Sequence, residues 1–431
     1  MTTTTDPKIT IPTGTYPGCE PLLLGPAARE DARSYLEAGG YAPLPDPAGL
    51  LTEVERAGLR GRGGAAFPFA RKVRAVRAAA GATVLLANGE EGEPTSVKDR
   101  WLMRHRPHLV LDGVRLATAL VGAEDIVLYV SDPASADSLT GALSTGPWSA
   151  ERVRVHRVEP AYVAGEETAA VRSVDGGPAL PRDKPPRPFE AGVGGRATLV
   201  SNVETLANLP AVQRAGAEGY RRTGTERSPG TFLMTLSGTS RNGLHEVPFG
   251  TVFGDVLEWS GEDPGSVRGA LAGGYFGGML NERVLDLPLD HETFAAAGSG
   301  LGCGAFVVLG DRDCPVAVAA AVMSYFAREN AGQCGSCFNG TAAMAGVLDA
   351  LREHRAQPPD MERLRRWAAG LRGRGACGTL DGATNLAGSL LREFPEQVED
   401  HLDARCDRCA GHMGYGDTPF AVDGTGAGRR A

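Results

Sequence analysis

The chain has 431 residues, too many for one small core, and 42% of them are hydrophobic, so two or three well-packed domains are within reach and global disorder is excluded. A net charge of −8 with a pI near 5.6 argues against a general nucleic-acid binder, which would carry a basic surplus. The longest apolar run, CPVAVAAAVMSYFA at 314–327, is too short to span a bilayer, and the opening MTTTTDPKITIPTG has no apolar core of a secretory signal; a cytoplasmic protein without a direct membrane span, peripheral at most to a larger complex, is expected.

Residues 1–45 are rich in Pro, Gly and Thr, with one helical patch at AREDARSYLEAG. DPAGLLTEVERAG then predicts a helix, capped by Asp46, with Pro47 in its first turn and Leu50, Leu51, Val54 and Ala57 on one face. The glycine loop GLRGRGGAAF follows, and Pro68 opens a second helix expected to close at Gly81. ATVLLANG reads as a strand leading into the acidic loop NGEEGEPTSVKDR. A helix at PHLVLDGVRLATALVGA, a strand at DIVLYVSD, and the strand-to-helix junctions in YVAGEETAAVRSVDG and TLVSNVETLANLPAV continue the alternation to about residue 225, the pattern of an α/β sheet. From about 230 to 309 short strands alternate with glycines, which predicts a small β module. The chain after Cys314 reads as helical as far as Leu402, and a Gly-rich, flexible tail carrying Cys406 and Cys409 is expected beyond it.

A dinucleotide glycine fingerprint should follow a strand. Here the glycine loop follows a helix, and Ala66 stands where the last glycine would be, so the loop reads as anion chemistry. Gly61, Gly63 and Gly64 allow close backbone approach, Arg62 and Lys72 bring charge, and the helix opening near Pro68 offers free amides; a plain turn between helices is the alternative. Asn88, Glu90, Glu91 and Glu93 follow a strand, where carboxylates can hold the hydroxyls of a ribityl or ribose chain, or simply face solvent. Gly165, Glu166 and Glu167 pose the same choice. Only four of the 44 basic residues are lysines (Lys8, Lys72, Lys98 and Lys184), which draws notice to places where an ammonium has been kept.

Eight cysteines in such a chain are reduced thiols, metal ligands or cluster ligands rather than a disulfide framework. Cys334 and Cys337 form a CxxC between helices, and Cys377 lies in a Gly-rich stretch between two more, which fits an iron–sulfur cluster, a zinc site or a redox dithiol. Cys19, Cys303 and Cys314 stand alone and read as packed thiols.

Taken in order, LRGRGGAAFP, NGEEGEPTSVKDR, AGEETA, KPP, SNVETLANLPA and ENAGQCGSC resemble the NADH-oxidising FMN subunit of respiratory complex I, the 51 kDa type also found in NAD-linked hydrogenases and formate dehydrogenases. The resemblance covers about residues 51–402 and implies an α/β flavin-binding domain, a small ubiquitin-like β-grasp module and a C-terminal helical bundle with an iron–sulfur site. The corresponding divisions are 1–45 (extension), 46–228 (FMN and NADH), 229–312 (β-grasp), 313–403 (iron–sulfur) and 404–431 (tail). It further implies that Gly61, Arg62, Gly63, Lys72, Asn88, Glu90 and Glu91 contact FMN and that Ser201, Asn202 and Thr205 form the turn on its phosphate side. Gly64, Phe67, Glu93, Tyr162, Glu166 and Glu167 would line the face where NADH stacks or the pocket around it, and Gly165 would be a further cofactor-binding position. Cys334, Cys337 and Cys377 would be the cluster ligands.

Three departures from the family pattern stand out. Ala331 occupies the place of the first cluster cysteine, so a 3Fe–4S cluster, or a 4Fe–4S cluster with an unusual fourth ligand, is expected; Cys406 or Cys409 could reach in from the tail. Ser336 and Phe338 replace the usual Pro and Arg. Of the phenylalanines that grip adenine only Phe67 remains, with Ala75 and Arg187 in the other places; Arg187 would meet the 2′-phosphate of NADPH or point into solvent. The expected function is FMN-dependent oxidation of NADH or NADPH. Electrons would leave through the cluster to a thioredoxin-like 2Fe–2S subunit, a ferredoxin or a larger dehydrogenase complex. The alternatives are an electron-relay subunit that has lost nucleotide binding and a structural subunit without cofactors.

Overall fold

The structure, a computed structural model, describes residues 11–25, 29–148 and 153–411. The first ten residues of the expected N-terminal extension and residues 412–431 of the expected tail lie outside the described residues. The chain divides into two compact units, one of Met1–Gly92, Val97–Met234 and Leu244–Gly250, the other of Glu93–Ser96, Thr235–Gly243 and Thr251–Ala431. It is a mixed α/β fold, and none of its described helices is long and apolar enough to cross a membrane.

Strands in chain order are β1 (Thr13–Thr15), β2 (Val84–Asn88), β3 (Asp125–Val130), β4 (Val153–Arg157), β5 (Thr198–Asn202), β6 (Thr231–Ser237), β7 (Gly243–Pro248), β8 (Val267–Ala272), β9 (Met279–Asn281) and β10 (Ala305–Gly310). In the first unit β2 to β5 form a parallel sheet in the order β4-β3-β2-β5. Val84, Leu85, Leu86 and Ala87 are all buried, the continuous apolar run of a strand covered on both faces. On one face Val84, Leu86, Val127, Tyr129 and Val200 pack with Ala170, Val171 and Val174 of the helix Glu167–Val174. The helix Pro107–Val121, buried along most of its length, packs against β2. β1 pairs in parallel with residues 244–246 of β7, and the buried Glu246 carboxylate accepts from the amides of Leu22, Leu23 and Leu24 and from Thr231 Oγ1.

The helix over Pro47–Ala57 forms as its sequence predicts: Asp46 accepts from the Gly49 amide at 2.9 Å, and Leu50, Leu51, Val54 and Ala57 face inward. The next helix, Phe69–Arg77, is shorter than its sequence suggests. It ends with Ala78 bonded back to Arg74, so Gly81, with φ +89°, belongs to the turn before β2 and not to the cap.

In the second unit β10 runs parallel to residues 235–237 of β6 and antiparallel to β8, which is antiparallel to β9. The helices Pro315–Glu329, Gly335–Arg352, Pro358–Gly370, Thr379–Glu393 and Pro395–Leu402 follow. Strand layer and helices share one core here. The Met279 amide donates to Ser389 Oγ at 2.9 Å, Arg283 grips Glu393 through both carboxylate oxygens at 2.7 and 2.8 Å, and a Cβ on Gly269 would meet Phe394 at 2.8 Å.

Candidate functional site

The strand order places a reversal between β2 and β5. The chain leaves β2 for β3 and β4 on one side and returns at β5 on the other, and the two strands end level, Asn88 opposite Asn202. Open parallel sheets bind ligands beyond the carboxyl ends of their strands at such a reversal. Four segments converge there, all in the first unit. Asn88 Nδ2 donates to the Gly165 carbonyl at 2.8 Å, a Cβ on Gly92 would meet the Ala161 carbonyl at 2.7 Å, a Cβ on Gly63 would meet Asn202 Cβ at 3.2 Å, and the Arg62 amide donates to Thr205 Oγ1 at 2.8 Å. The glycine loop, the acidic loop, residues 161–167 and the Ser201–Thr205 turn are thereby one site. Gly64, at φ +121°, and Ala66, at φ +50°, hold the loop in a conformation that non-glycine residues rarely adopt, a form of strain that clusters at ligand clamps.

Glu90 is the most telling group. It is 6% exposed, and neither carboxylate oxygen has a hydrogen-bond partner of ordinary geometry. Burial, reinforced by the nearby Glu91 charge and softened by the Gly92 and Ala161 amides, pushes it up to about 8. A Cβ on Gly165 would lie 2.5 Å from Glu90 Oε2, so only glycine leaves that carboxylate its place. A buried acceptor pair with no hydrogen bond of ordinary geometry, facing a bare backbone, suits the hydroxyls of a ribityl chain: the site fits a flavin.

Other candidates turn out to hold the site's walls. Both oxygens of Glu91 are engaged at the start of the helix Lys98–His105, accepting from the Asp99 and Arg100 amides and from Arg100 Nε at 3.1 Å. Glu166 caps the helix Glu167–Val174 and pairs with Lys184 at 2.6 Å. Lys72 reaches Glu167 at 3.3 Å and the Val200 carbonyl at 3.2 Å. Asn202 accepts from the Glu204 amide and donates to Asp99 at 2.7 Å; Ser201 is buried at the end of β5. Tyr162 is half-buried beside Gly92. Arg62 does not present its guanidinium as an anion ligand. It donates inward to the Arg60 and Thr231 carbonyls and to Tyr220, and stacks over Phe249 at 4.6 Å, because the positive charge finds buried oxygens there and a ring face. Glu93 belongs to the second unit, where its carboxylate accepts from Thr95 Oγ1 at 2.8 Å and the Tyr275 amide at 3.1 Å.

Behind the turn lies a charge cluster that sequence reasoning did not place. Lys98, 1% exposed, donates to Asp99 at 2.8 Å and to Glu204 at 2.9 Å. Burial opposes its charge, but Asp99, Glu204 and Glu91 together outweigh it and hold the ammonium protonated. Asp99 is pushed up to about 7 by burial and by its carboxylate neighbours. The only sequence signal was that Lys98 is one of four lysines.

In the second unit Cys334 stands just before the helix Gly335–Arg352, Cys337 in its first turn, and Cys377 two residues before the helix Thr379–Glu393. The Ala376 amide donates to Cys334 Sγ at 3.4 Å, and Cys337 is pushed up to about 11 by burial and by the charges of Cys377 and Cys334. Three thiols gathered at helix starts fit an iron–sulfur cluster, an anion that helix N-termini favour. Ala331 brings no ligand atom. Cys406 and Cys409 do not join this set: they lie against Cys314 and His401, so Cys314 is not the isolated packed thiol its sequence position suggests. Cys314 is far from the other three in sequence, which hides the grouping.

Residues 54–211 match the model of the Nuo51 FMN-binding domain, and residues 317–401 match that of the NADH-ubiquinone oxidoreductase-F iron-sulfur binding region. The second F subunit of the NADH-quinone oxidoreductase of Rhizobium meliloti (strain 1021) is 33% identical over 421 residues, covering 91% of this chain and all of that one. The chain belongs to the family of NADH-quinone oxidoreductase F subunits. Another relative is the NADP-reducing hydrogenase subunit HndC of Solidesulfovibrio fructosivorans, 30% identical over 91% of this chain and 85% of that one. Among solved structures, an NAD+-reducing [NiFe]-hydrogenase in the H2-reduced state superposes with a TM-score of 0.75 at 33% identity, over 83% of this chain. This chain spans 63% of that hydrogenase chain.

At the places where the family resemblance puts an adenine grip, Phe67 is 41% exposed with Arg71 over its ring at 5.3 Å, and Ala75 is half-buried on the helix Phe69–Arg77. The Arg187 side chain is 55% exposed and lies 3.7 Å from Glu167, a loose pair that leaves most of the guanidinium in water.

Proposed function

We propose that this chain is the nucleotide-oxidising flavoprotein of an electron-transfer assembly: it takes reducing equivalents from NADH, with NADPH less excluded than is usual in its family, and delivers them through an iron–sulfur site to a partner protein. The observation that carries this reading is Glu90, a buried carboxylate with no hydrogen bond of ordinary geometry, at the sheet's reversal point and inside the stretch that matches an FMN-binding model. FMN, held by these residues, would supply the chemistry that couples two-electron hydride transfer to one-electron transfer.

The residues' own part is binding and orientation. Gly61, Gly63 and Gly64 let the backbone come close, Asn88 and Glu90 offer polar atoms to the ribityl chain, and Lys72 places an ammonium at the rim. Glu166 and Glu167, fixed by Lys184 and Lys72, line the nucleotide side with Phe67 and Tyr162. Ser201, Asn202 and Thr205 tie the turn to the glycine loop. Cys334, Cys337 and Cys377 hold the cluster, and the lack of a cysteine at Ala331 favours 3Fe–4S or a fourth ligand other than cysteine. The finer divisions that suit this reading are a flavin domain over 46–228, a β-grasp module over 229–312 and a helical cluster-binding bundle over 313–403. A thioredoxin-like 2Fe–2S subunit, a ferredoxin or a larger dehydrogenase complex would take the electrons, as in the complexes that its relatives are named for.

Chain purified anaerobically is expected to carry non-covalent FMN, iron and sulfide. Gly63→Val puts branched carbons where a single Cβ already crowds Asn202, and should strip most of the flavin while leaving the iron. Cys337→Ser should do the reverse. Full flavin in the first variant removes the glycine loop from the site, and full iron in the second removes the cysteine set.

A further inference from the structure

Four ligand atoms outside the flavin and iron–sulfur sites meet in the second unit. Cys314 sits at the start of the helix Pro315–Glu329, His401 near the end of the helix Pro395–Leu402, and Cys406 and Cys409 on the segment that follows. Their Sγ and Nε2 atoms all lie within 4.8 Å of one another. His401 Nε2 is 3.3 Å from Cys314 Sγ and 2.9 Å from Cys409 Sγ; Cys314 is 3.3 Å from Cys409 and 4.0 Å from Cys406, and Cys406 is 4.0 Å from Cys409.

We propose that Cys314, His401, Cys406 and Cys409 form a structural zinc site, separate from the iron–sulfur ligands. Tetrahedral thiolates bound to one zinc ion stand about 3.8 Å apart, as its bond lengths require, and the observed separations bracket that value. An iron–sulfur cluster interposes several irons and sulfides between its thiolates and needs a wider cage. Three cysteines and a histidine are a common zinc donor set, and Cys406 and Cys409 have the two-residue spacing of a zinc knuckle.

The surroundings prepare the ligands. His401 Nδ1 is 2.6 Å from the Gln397 carbonyl, a bond that only an Nδ1–H can make, so the tautomer is fixed with the Nε2 lone pair directed at the sulfurs. The Ala317 amide donates to Cys314 Sγ at 3.4 Å, which supports a thiolate. His354 stacks on the His401 ring at 5.2 Å and bonds to its carbonyl, fixing the helix end.

A second observation points the same way. Cys314 and His401 are each 1% exposed, yet no residue from 403 to 409 is buried. Nothing apolar holds that segment against the helices, and an ion would. All four positions are filled by side chains, so the site is closed and structural, with no place for a substrate. It would fasten the segment after Leu402 to the connection between β10 and the helix Pro315–Glu329.

The test is metal analysis of the full-length chain grown with zinc and iron supplied. One zinc per chain is expected, falling to background in Cys406→Ser/Cys409→Ser with flavin and iron content unchanged. After the zinc is chelated, one equivalent of cobalt(II) should give the absorption bands of tetrahedral thiolate cobalt in the wild type and none in the double variant. Wild-type chain without stoichiometric zinc and without those cobalt bands overturns the proposal. So does a double variant that keeps its zinc, or one whose iron falls in step with its zinc, which would make these cysteines cluster ligands. Zinc in a chain that lacks flavin would sustain this proposal while counting against the electron-transfer reading.

Discussion

Lys98→Met is expected to cost about 3–5 kcal/mol of stability, enough to prevent many chains from folding, because it breaks a buried ion cluster from one side. The ammonium is 1% exposed and lies 2.8 Å from Asp99 and 2.9 Å from Glu204. Those carboxylates are anchored in turn: Glu204 accepts from the Leu233 amide at 2.9 Å, and Asp99 from Asn202 at 2.7 Å. Methionine fills the space but leaves both acids in low dielectric without a cation, beside the Asn202 turn that Asp99 holds. Lys98→Met/Glu204→Gln should recover part of the loss, since one of the stranded charges is removed with the cation. Denaturant unfolding of the three chains measures this. A single variant within about 0.5 kcal/mol of wild type would mean that the cluster contributes nothing to the fold.

The second large effect is a pH dependence of the flavin-free chain. Glu90 is pushed up to about 8 in the folded state, against 4.5 for the unfolded carboxyl. Between those values the folded chain keeps a proton that the unfolded chain has lost, so raising the pH favours unfolding. Stability is therefore fully present below about pH 4.5 and declines until the pH has passed 8, by on the order of 5 kcal/mol in all for this group. Glu90→Gln keeps the shape, cannot titrate, and should flatten that part of the curve. A flavin hydroxyl donating to the carboxylate should flatten it in the loaded chain as well. Equal slopes in wild type and Glu90→Gln, each measured without flavin, would show that Glu90 is ionised at no cost and has partners that the structure does not show.

Local chemistry was legible in the sequence where one segment decides the outcome. Asp46 and Pro47 announced a helix start, and ATVLLANG announced a strand, which forms over Val84–Asn88. The residues that drew attention around the acidic loop do meet, though several act as walls: Glu91 at a helix start, Glu166 as a cap, Arg62 turned inward onto Phe249. Such roles depend on which oxygen or ring face a side chain finds, and residue type alone does not say. What stayed hidden was non-local. Lys98 and Asp99 read only as the end of the acidic loop until Glu204 is folded over them, and Cys314 reads as a lone thiol until His401, 87 residues later, is packed against it. The strand order that creates the reversal between β2 and β5 also emerges only when four segments pair.

The central claim, that this chain passes electrons from a nicotinamide nucleotide to a flavin of its own, is tested most directly by an anaerobic titration of the purified chain with NADH, watching the flavin absorbance. The visible flavin band should bleach as NADH is added, needing more than one equivalent because Ala75 and Arg187 stand where the family resemblance puts aromatic faces of an adenine grip, and NADPH should bleach it more weakly. A flavin that dithionite reduces readily but that neither nucleotide bleaches would contradict the account and leave an electron relay without a nucleotide site.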